Sequence, residues 1–224
     1  MPIYKGQTKI VSLYKGTAKI VKVYKGTNVV FSSGRLPSAF QEVEYIESSG
    51  TQYIDSGLPL TLTTGVSFDA QYKNGESIGV LLGVLEINVG RLQPYYLDYG
   101  TLKANYQISS NSITLTSSNL YDRYTLEFNV NNSDIKFNGV SVGTVDNIGS
   151  TTNTIYLFCR NYSASPYYAS VKLYSCKFYD NGILVRDYIP CYRKADNVIG
   201  LYDSINGVFY TNAGTGTFTK GADV

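Results

Sequence analysis

Two short segments carry the side chains best suited to holding a ligand: Tyr95-Tyr96-Leu97-Asp98-Tyr99, and Asn161-Tyr162 with Tyr167-Tyr168. Aromatic faces beside hydrogen-bonding groups suit a sugar, whose C–H face stacks on a ring while its hydroxyls are bonded at the edge. Neighbouring tyrosines on one strand point to opposite sides, so one of a pair can be core and the other exposed. The competing expectation is core or subunit packing, because tyrosine is common in both settings. The candidates for glycan contact are Tyr95, Tyr96, Tyr99, Tyr162, Tyr167 and Tyr168.

Other chemistry is limited by what the chain lacks. It has no His and no Trp among 224 residues. Without His, neither a Ser-His-Asp nor a Cys-His nucleophile pair can be built, and His-containing zinc sites are excluded. Trp is the strongest platform for a sugar or cation, so the 22 Tyr must serve instead. Asp146, Asn147, Asp180, Asn181, Asp203 and Asn206 offer oxygen in loops. None matches the calcium-loop spacing, and they read more simply as turn residues bonding their own backbone. No Gly-rich phosphate loop follows a strand and opens a helix. The expectation is a non-enzyme with no cofactor, no metal and no catalytic residue. Cys159, Cys176 and Cys191 are odd in number and widely spaced, which predicts free buried thiols and assembly in a reducing compartment. Arg186, Asp187, Arg193 and Lys194 surround Pro190-Cys191 and predict ion pairs between neighbouring strands, of small value.

The elements that must position these groups are strands. Tyr, Val, Ile, Thr and Phe are plentiful and Gly is frequent, a mixture that favours strands joined by tight turns. No long run has helical apolar spacing. Strands are expected at 41–46, 52–55, 66–72, 77–84, 86–92, 95–99, 103–108, 124–130, 134–137, 140–145, 153–159, 168–179, 183–188, 198–203 and 208–211. Asn138-Gly139, Asp180-Asn181-Gly182 and Asn206-Gly207 sit between apolar runs, where Asn or Gly can adopt positive φ. So many short strands predict two packed sheets, an all-β fold.

The first 34 residues differ from the rest. Tyr4-Lys5-Gly6, Tyr14-Lys15-Gly16 and Tyr24-Lys25-Gly26 recur every ten residues. A three-stranded meander is expected, with 19–24 as its central strand, Val11, Leu13, Val21 and Val23 on one face, and Ile10, Tyr14, Ile20 and Tyr24 on the other. A sheet that small buries too little to be secure alone, so Tyr4, Val11, Leu13, Tyr14, Val21, Val23 and Tyr24 are expected to anchor or oligomerise. Residues 1–35 hold seven basic and no acidic residues, and the remainder carries a net −5. A basic arm on an acidic body suits docking on a negative surface. It lacks the helix, aromatic motif or dense Arg cluster of a nucleic-acid binder, and no stretch is long and apolar enough for a transmembrane helix or a signal sequence. Two domains follow: an arm at 1–34 and a body at 35–224.

Two stretches of the body resemble a known family. Residues 36–57, LPSAFQEVEYIESSGTQYIDSG, and 172–218, KLYSCKFYDNGILVRDYIPCYRKADNVIGLYDSINGVFYTNAGTGTF, resemble the opening and closing segments of concanavalin A-like (laminin-G-like) jelly-roll domains of phage virion proteins and some bacterial surface proteins. The YKG repeats look like those that precede such domains in phage structural proteins. The resemblance implies a concanavalin A-like jelly-roll β-sandwich with neighbouring termini, preceded by a small β-repeat arm. It also implies a virion-surface protein of fibre or decoration type, a homo-oligomer with a trimer favoured. Its partners would be other virion proteins and host-surface glycans, with no nucleic acid and no membrane. A bacterial glycan-binding or adhesion module is the alternative. Glucanases of this fold carry E-x-D-x-E on one strand. Here Glu42-Val43-Glu44-Tyr45-Ile46-Glu47 puts Glu42 and Glu44 on one face and Glu47 on the other, so the acid pair a glycosidase needs is missing.

Overall fold

The computed structural model describes residues 4–5, 8–9, 13–15, 18–20, 22–25, 28–32, 35–75, 78–98, 101–105, 113–115, 121–129, 133–144, 149–162 and 166–224. The chain divides into two units, Met1–Ser38 and Ala39–Val224.

The first unit is a series of hairpins. Its strands are β1 (Tyr4–Lys5), β2 (Thr8–Lys9), β3 (Leu13–Lys15), β4 (Ala18–Ile20), β5 (Lys22–Lys25) and β6 (Asn28–Ser32). They pair as β1-β2, β3-β4 and β5-β6, three separate two-stranded sheets. The expected three-stranded meander is therefore corrected, because β4 and β5 belong to different sheets. The period of ten is one hairpin: Lys5↔Thr8, Lys15↔Ala18 and Lys25↔Asn28 are the innermost pairs, each separated by Gly-Gln or Gly-Thr in the sequence. Leu13 pairs with Ile20. Tyr4, Leu13, Tyr14, Val23 and Tyr24 lie in these strands, whereas Val11 and Val21 lie outside the described residues.

The second unit begins with β7 (Phe40–Glu42), β8 (Ile46–Ser49), β9 (Ile54–Leu60), β10 (Thr64–Tyr72), β11 (Ile78–Val80) and β12 (Leu82–Glu86). It continues with β13 (Gly90–Asp98), β14 (Thr101–Asn105), β15 (Ile113–Thr114), β16 (Tyr124–Asn129), β17 (Asp134–Phe137), β18 (Val140–Thr144), β19 (Thr151–Leu157) and β20 (Arg160–Asn161). It closes with β21 (Ser170–Asp180), β22 (Ile183–Arg193), β23 (Ile199–Asp203), β24 (Val208–Thr211) and β25 (Thr219–Lys220). Two sheets result. The first runs β18-β17-β16-β10-β21-β22-β23-β24, with β7 on β22, β8 on β21 and β25 on β8; the second runs β15-β14-β13-β12-β19-β9, with β11 on β13 and β20 on β12. The unit is an all-β sandwich.

Several strand expectations change. Residues 41–46 are broken: β7 ends at Glu42, and Val43 instead bridges Asp223. The parity argument about Glu42, Glu44 and Glu47 assumed one strand and does not apply. Residues 77–84 divide between β11 and β12, and 86–92 hold a turn in which Asn88 takes φ 62°. β22 runs five residues beyond the expected 183–188, and β15, β20 and β25 were not expected. The opening of the body lies against the end of the chain, with Val224 N–H donating to Glu42 O at 3.0 Å and Glu44 N–H to Ala222 O at 3.0 Å.

The core lies between the sheets. Val66, Phe68, Ala70 and Tyr72 of β10 alternate inward, beside Val171, Leu173, Cys176 and Phe178 of β21. Strict alternation would send Leu173 and Cys176 to opposite faces. A bulge at Tyr174, where Asp69 pairs with Ser175 but Ala70 with Leu173, resets the parity. Ile54, Leu82, Val84, Leu92, Ile155 and Leu157 of the second sheet meet them. Two tyrosines bond across the gap: Tyr72 Oη donates to Gly79 O at 2.8 Å and Tyr188 Oη to Ser56 O at 3.4 Å. The two-residue turns Asn138-Gly139 and Asn181-Gly182 have φ of 50° and 78°, and 49° and 77°. Positive φ at both positions is what a twisted hairpin requires.

The third expected turn is organised by a buried carboxylate. Asp203, fully buried, accepts from Ile205 N–H at 3.0 Å, Asp187 N–H at 3.2 Å and Asn206 Nδ2 at 2.7 Å. Arg186 Nε lies 3.3 Å from its Oδ2 as an ion pair without hydrogen-bond geometry. Lys177 and Asp187, ladder partners on β21 and β22, form a longer pair at 4.0 Å. The three cysteines are free and buried, as expected. Burial pushes the Cys159 and Cys191 thiols up to about 12 and raises Cys176 as well.

Two outcomes follow. Asp203→Ala strands Arg186 and two backbone donors in the interior and costs about 3 kcal/mol or more in urea unfolding, whereas Asp196→Asn, at the exposed Arg193 pair, leaves the midpoint nearly unchanged. The raised thiols bind protons more tightly folded than unfolded, so their contribution is whole below the ordinary value of 9.0 and is lost as pH rises toward about 12. A thiol reagent at pH 8 labels none of the three cysteines until denaturant is added; rapid labelling of the native protein would contradict their burial.

Candidate functional site

A cluster of rings forms on the second sheet, around the end of β19. Within β19, Ile155 and Leu157 enter the core, so Tyr156 between them faces outward. Its ladder partners are Asp55 on β9 and Gly83 on β12, which share its face. Gly83 cannot be replaced, since a Cβ there would lie 2.6 Å from Leu92 O. Tyr53, just before β9, stacks on Tyr156 with centroids 4.7 Å apart and 26° between planes, and stands 6.4 Å from the Tyr168 ring. Tyr53 is positioned by its N–H, which donates to Asn212 Oδ1 at 3.1 Å.

The loop that brings Tyr168 to this face starts at a strained residue. Phe158 takes φ 66°, a left-handed conformation that is an outlier for a bulky side chain. Its surroundings impose it: the ring is fully buried against Phe218 at 4.8 Å. Its N–H donates to Leu81 O, and its carbonyl accepts from Ala169 N–H at 3.0 Å. The chain thereby leaves β19, pairs β20 parallel to β12, and returns through the Cys159↔Tyr168 bridge. Arg160 N–H donates to Tyr167 O at 3.2 Å. The Arg160 guanidinium then lies 4.4 Å from the Tyr167 centroid and 5.1 Å from that of Tyr162.

Of the expected glycan residues, the structure gathers Tyr162 and Tyr167 around Arg160 and sets Tyr168 beside Tyr53. The expectation that one of an adjacent pair is core does not hold for Tyr167 and Tyr168. Tyr167 is exposed and Tyr168 half-buried, because they lie in a returning loop rather than within a strand. Tyr95 and Tyr96 belong to β13 of the same sheet, with Tyr96 paired to Val80 and Lys103. Tyr99 lies outside the described residues. Sequence reasoning missed Tyr53, Tyr156 and Arg160. The alternation of Ile155-Tyr156-Leu157 could have flagged Tyr156 as outward, but no local signal joins it to Tyr53, a hundred residues earlier.

The chemistry available is stacking and hydrogen bonding. Among the described residues, no hydrogen bond joins the hydroxyls of Tyr53, Tyr156 or Tyr168 to the protein, leaving them open to a solute. Burial, then the Asp55 carboxylate, raises Tyr156 above the usual phenol range, and burial raises Tyr168. Both stay protonated at neutral pH and can donate. On the first sheet a second aromatic set differs: Arg123 lies 3.7 Å over Tyr174 and Lys172 4.6 Å over Tyr45, with Arg123 held by Asp69 at 2.6 Å. The protein's own cations cover those rings, a ladder that stabilises the sheet surface.

Among the oxygen-bearing turn residues, Asp203 accepts from backbone N–H groups and Asn206 Nδ2 donates to Val185 O at 2.9 Å, whereas the others make different contacts. Asn181 adopts positive φ and Asn206 bonds Asp203, while Asp180 accepts from Thr63 Oγ1; Asp146 and Asn147 lie outside the described residues. Among the described residues no group of three metal-ligating side chains is present. Compared with known proteins, the chain matches no family model and no curated protein.

Proposed function

We propose that this chain is a phage virion structural protein of fibre or decoration type, whose sandwich recognises host-surface glycans on the tyrosine-bearing face of its second sheet. The observation that carries the reading is the group of Tyr53, Tyr156 and Tyr168, half-buried rings whose hydroxyls form no hydrogen bond among the described residues. A half-buried ring offers one face for stacking and is already ordered, so little side-chain entropy is lost on binding. Protonated phenols supply donors to sugar oxygens. The resemblance of residues 36–57 and 172–218 to jelly-roll segments of virion proteins supports the setting.

The arm has the second role in this reading. Three short basic hairpins bury too little to persist alone, so other virion proteins, or copies of the chain arranged as a trimer, would hold them. Oligomerisation matters because single-site sugar contacts are weak and gain avidity when several heads engage one surface.

Each role has a test. On a glycan array the full chain binds a subset of saccharides, and Tyr156→Ala reduces that binding by about tenfold while leaving the unfolding midpoint close to native. Silence across a broad array removes the recognition role. Deletion of residues 1–34 leaves a folded sandwich that no longer oligomerises or joins the particle, read by sedimentation and co-purification with virions; a truncated chain that still assembles removes the anchoring role.

A further inference from the structure

Arg91 and Arg160 share the face that bears Tyr156. Arg91 is the ladder partner of Leu85, and Arg160 that of Gly83. Gly83 and Leu85 are two residues apart on β12, so their partners lie on one side of the sheet. Arg160 is only 9% exposed, between the rings of Tyr162 and Tyr167. Ring faces favour the cation. Burial weakens Arg160's hold on its proton, Tyr167 opposes that effect, and the charge of Arg91 adds to it. Two like charges on one face of the sheet repel each other.

The nearby carboxylates do not relieve Arg91. Asp55 accepts from Gly57 N–H at 2.9 Å, and Glu86 is taken by Thr151 Oγ1 and by Asn153 Nδ2 at 3.3 Å. Arg91 Nε is buried without an acceptor, and among the described residues Arg91 forms no ion pair. A planar cation whose terminal nitrogens bond no described residue, beside a second cation that stands between two tyrosine rings, is complementary to an oxyanion carried on a sugar.

We propose that this face recognises an acidic saccharide, with Arg91 bonding its carboxylate or phosphate beside Arg160 while a sugar ring stacks on the Tyr53–Tyr156 pair. The proposal rests on the glycan-binding reading above and narrows it to a ligand class. The shared chemistry is an anionic oxygen group on a saccharide, from either a uronic acid or a sugar phosphate.

Calorimetry with the full chain compares three probes: a hexuronate oligosaccharide, a phosphorylated oligosaccharide of the same length, and its neutral parent. The expected result is tighter binding of one or both acidic probes by about tenfold or more, weakening as salt is raised. Whichever acidic probe binds identifies the source of the anion. Arg91→Gln abolishes the preference, and Arg91→Lys, which keeps the charge but not the planar fork, restores it in part; native circular dichroism of both variants shows that folding is intact. Equal binding of neutral and acidic probes, unchanged by either substitution, overturns the proposal while leaving glycan recognition standing. Failure of all three probes, together with silence of the full chain on a broad array, overturns both.

Discussion

The sandwich depends on burying two apolar sheet faces against each other without leaving polar atoms stranded between them. Phe68, Phe178 and Leu173 of one layer meet Ile54, Val84 and Leu157 of the other, and each large side chain removed from water contributes about 1.5–3 kcal/mol. Tyr72 and Tyr188 add ring volume to that layer, but each also brings a hydroxyl that would cost free energy if unbonded. Both hydroxyls reach backbone carbonyls of the opposite sheet, so the residues that fill the gap also fix the spacing of the layers. Tyr188 stands perpendicular to both Phe178 and Tyr210, at 6.1 and 5.4 Å, an edge-to-face arrangement that further limits sliding.

The outward ring cluster follows from that inner layer. Tyr156 faces outward because Ile155 and Leu157 are committed inward. Arg160 stands between two tyrosines because Phe158, locked against Phe218, turns the chain out of β19. A left-handed phenylalanine is costly in isolation and persists only where packing over-determines it. Here the cost is met by complete burial of the ring and by hydrogen bonds on both sides of the residue. A rigid platform results, which suits recognition of a small, weakly held ligand better than a mobile loop would.

Charge is distributed differently across the two sheets. On the first, Arg123 with Asp69 and Arg186 with Asp203 are paired. On the second, Arg91 and Arg160 share one side while Asp55 and Glu86 accept from neutral donors. An exposed pair adds little to stability, and a buried pair matters chiefly because losing one partner leaves the other charge uncompensated. The second face therefore carries two guanidiniums on one side, one of them between tyrosine rings, and this charge distribution supports the proposed recognition of an anionic saccharide.

Features set by a few adjacent residues were legible in the sequence. Asn138-Gly139 and Asn181-Gly182 form their turns because positive φ is inexpensive for those residues wherever they occur, and β17 and β24 have the bounds expected of them. The all-β class, the free buried thiols and the ten-residue period of the arm were equally local. The tertiary structure alone decided the rest. The bulge at Tyr174, the break after Glu42, the separation of the arm into hairpins and the meeting of Tyr53 with Tyr156 depend on which strand lies beside which. Register is set by the sum of packing across both sheets, and residues a hundred apart in the chain carry no local trace of it.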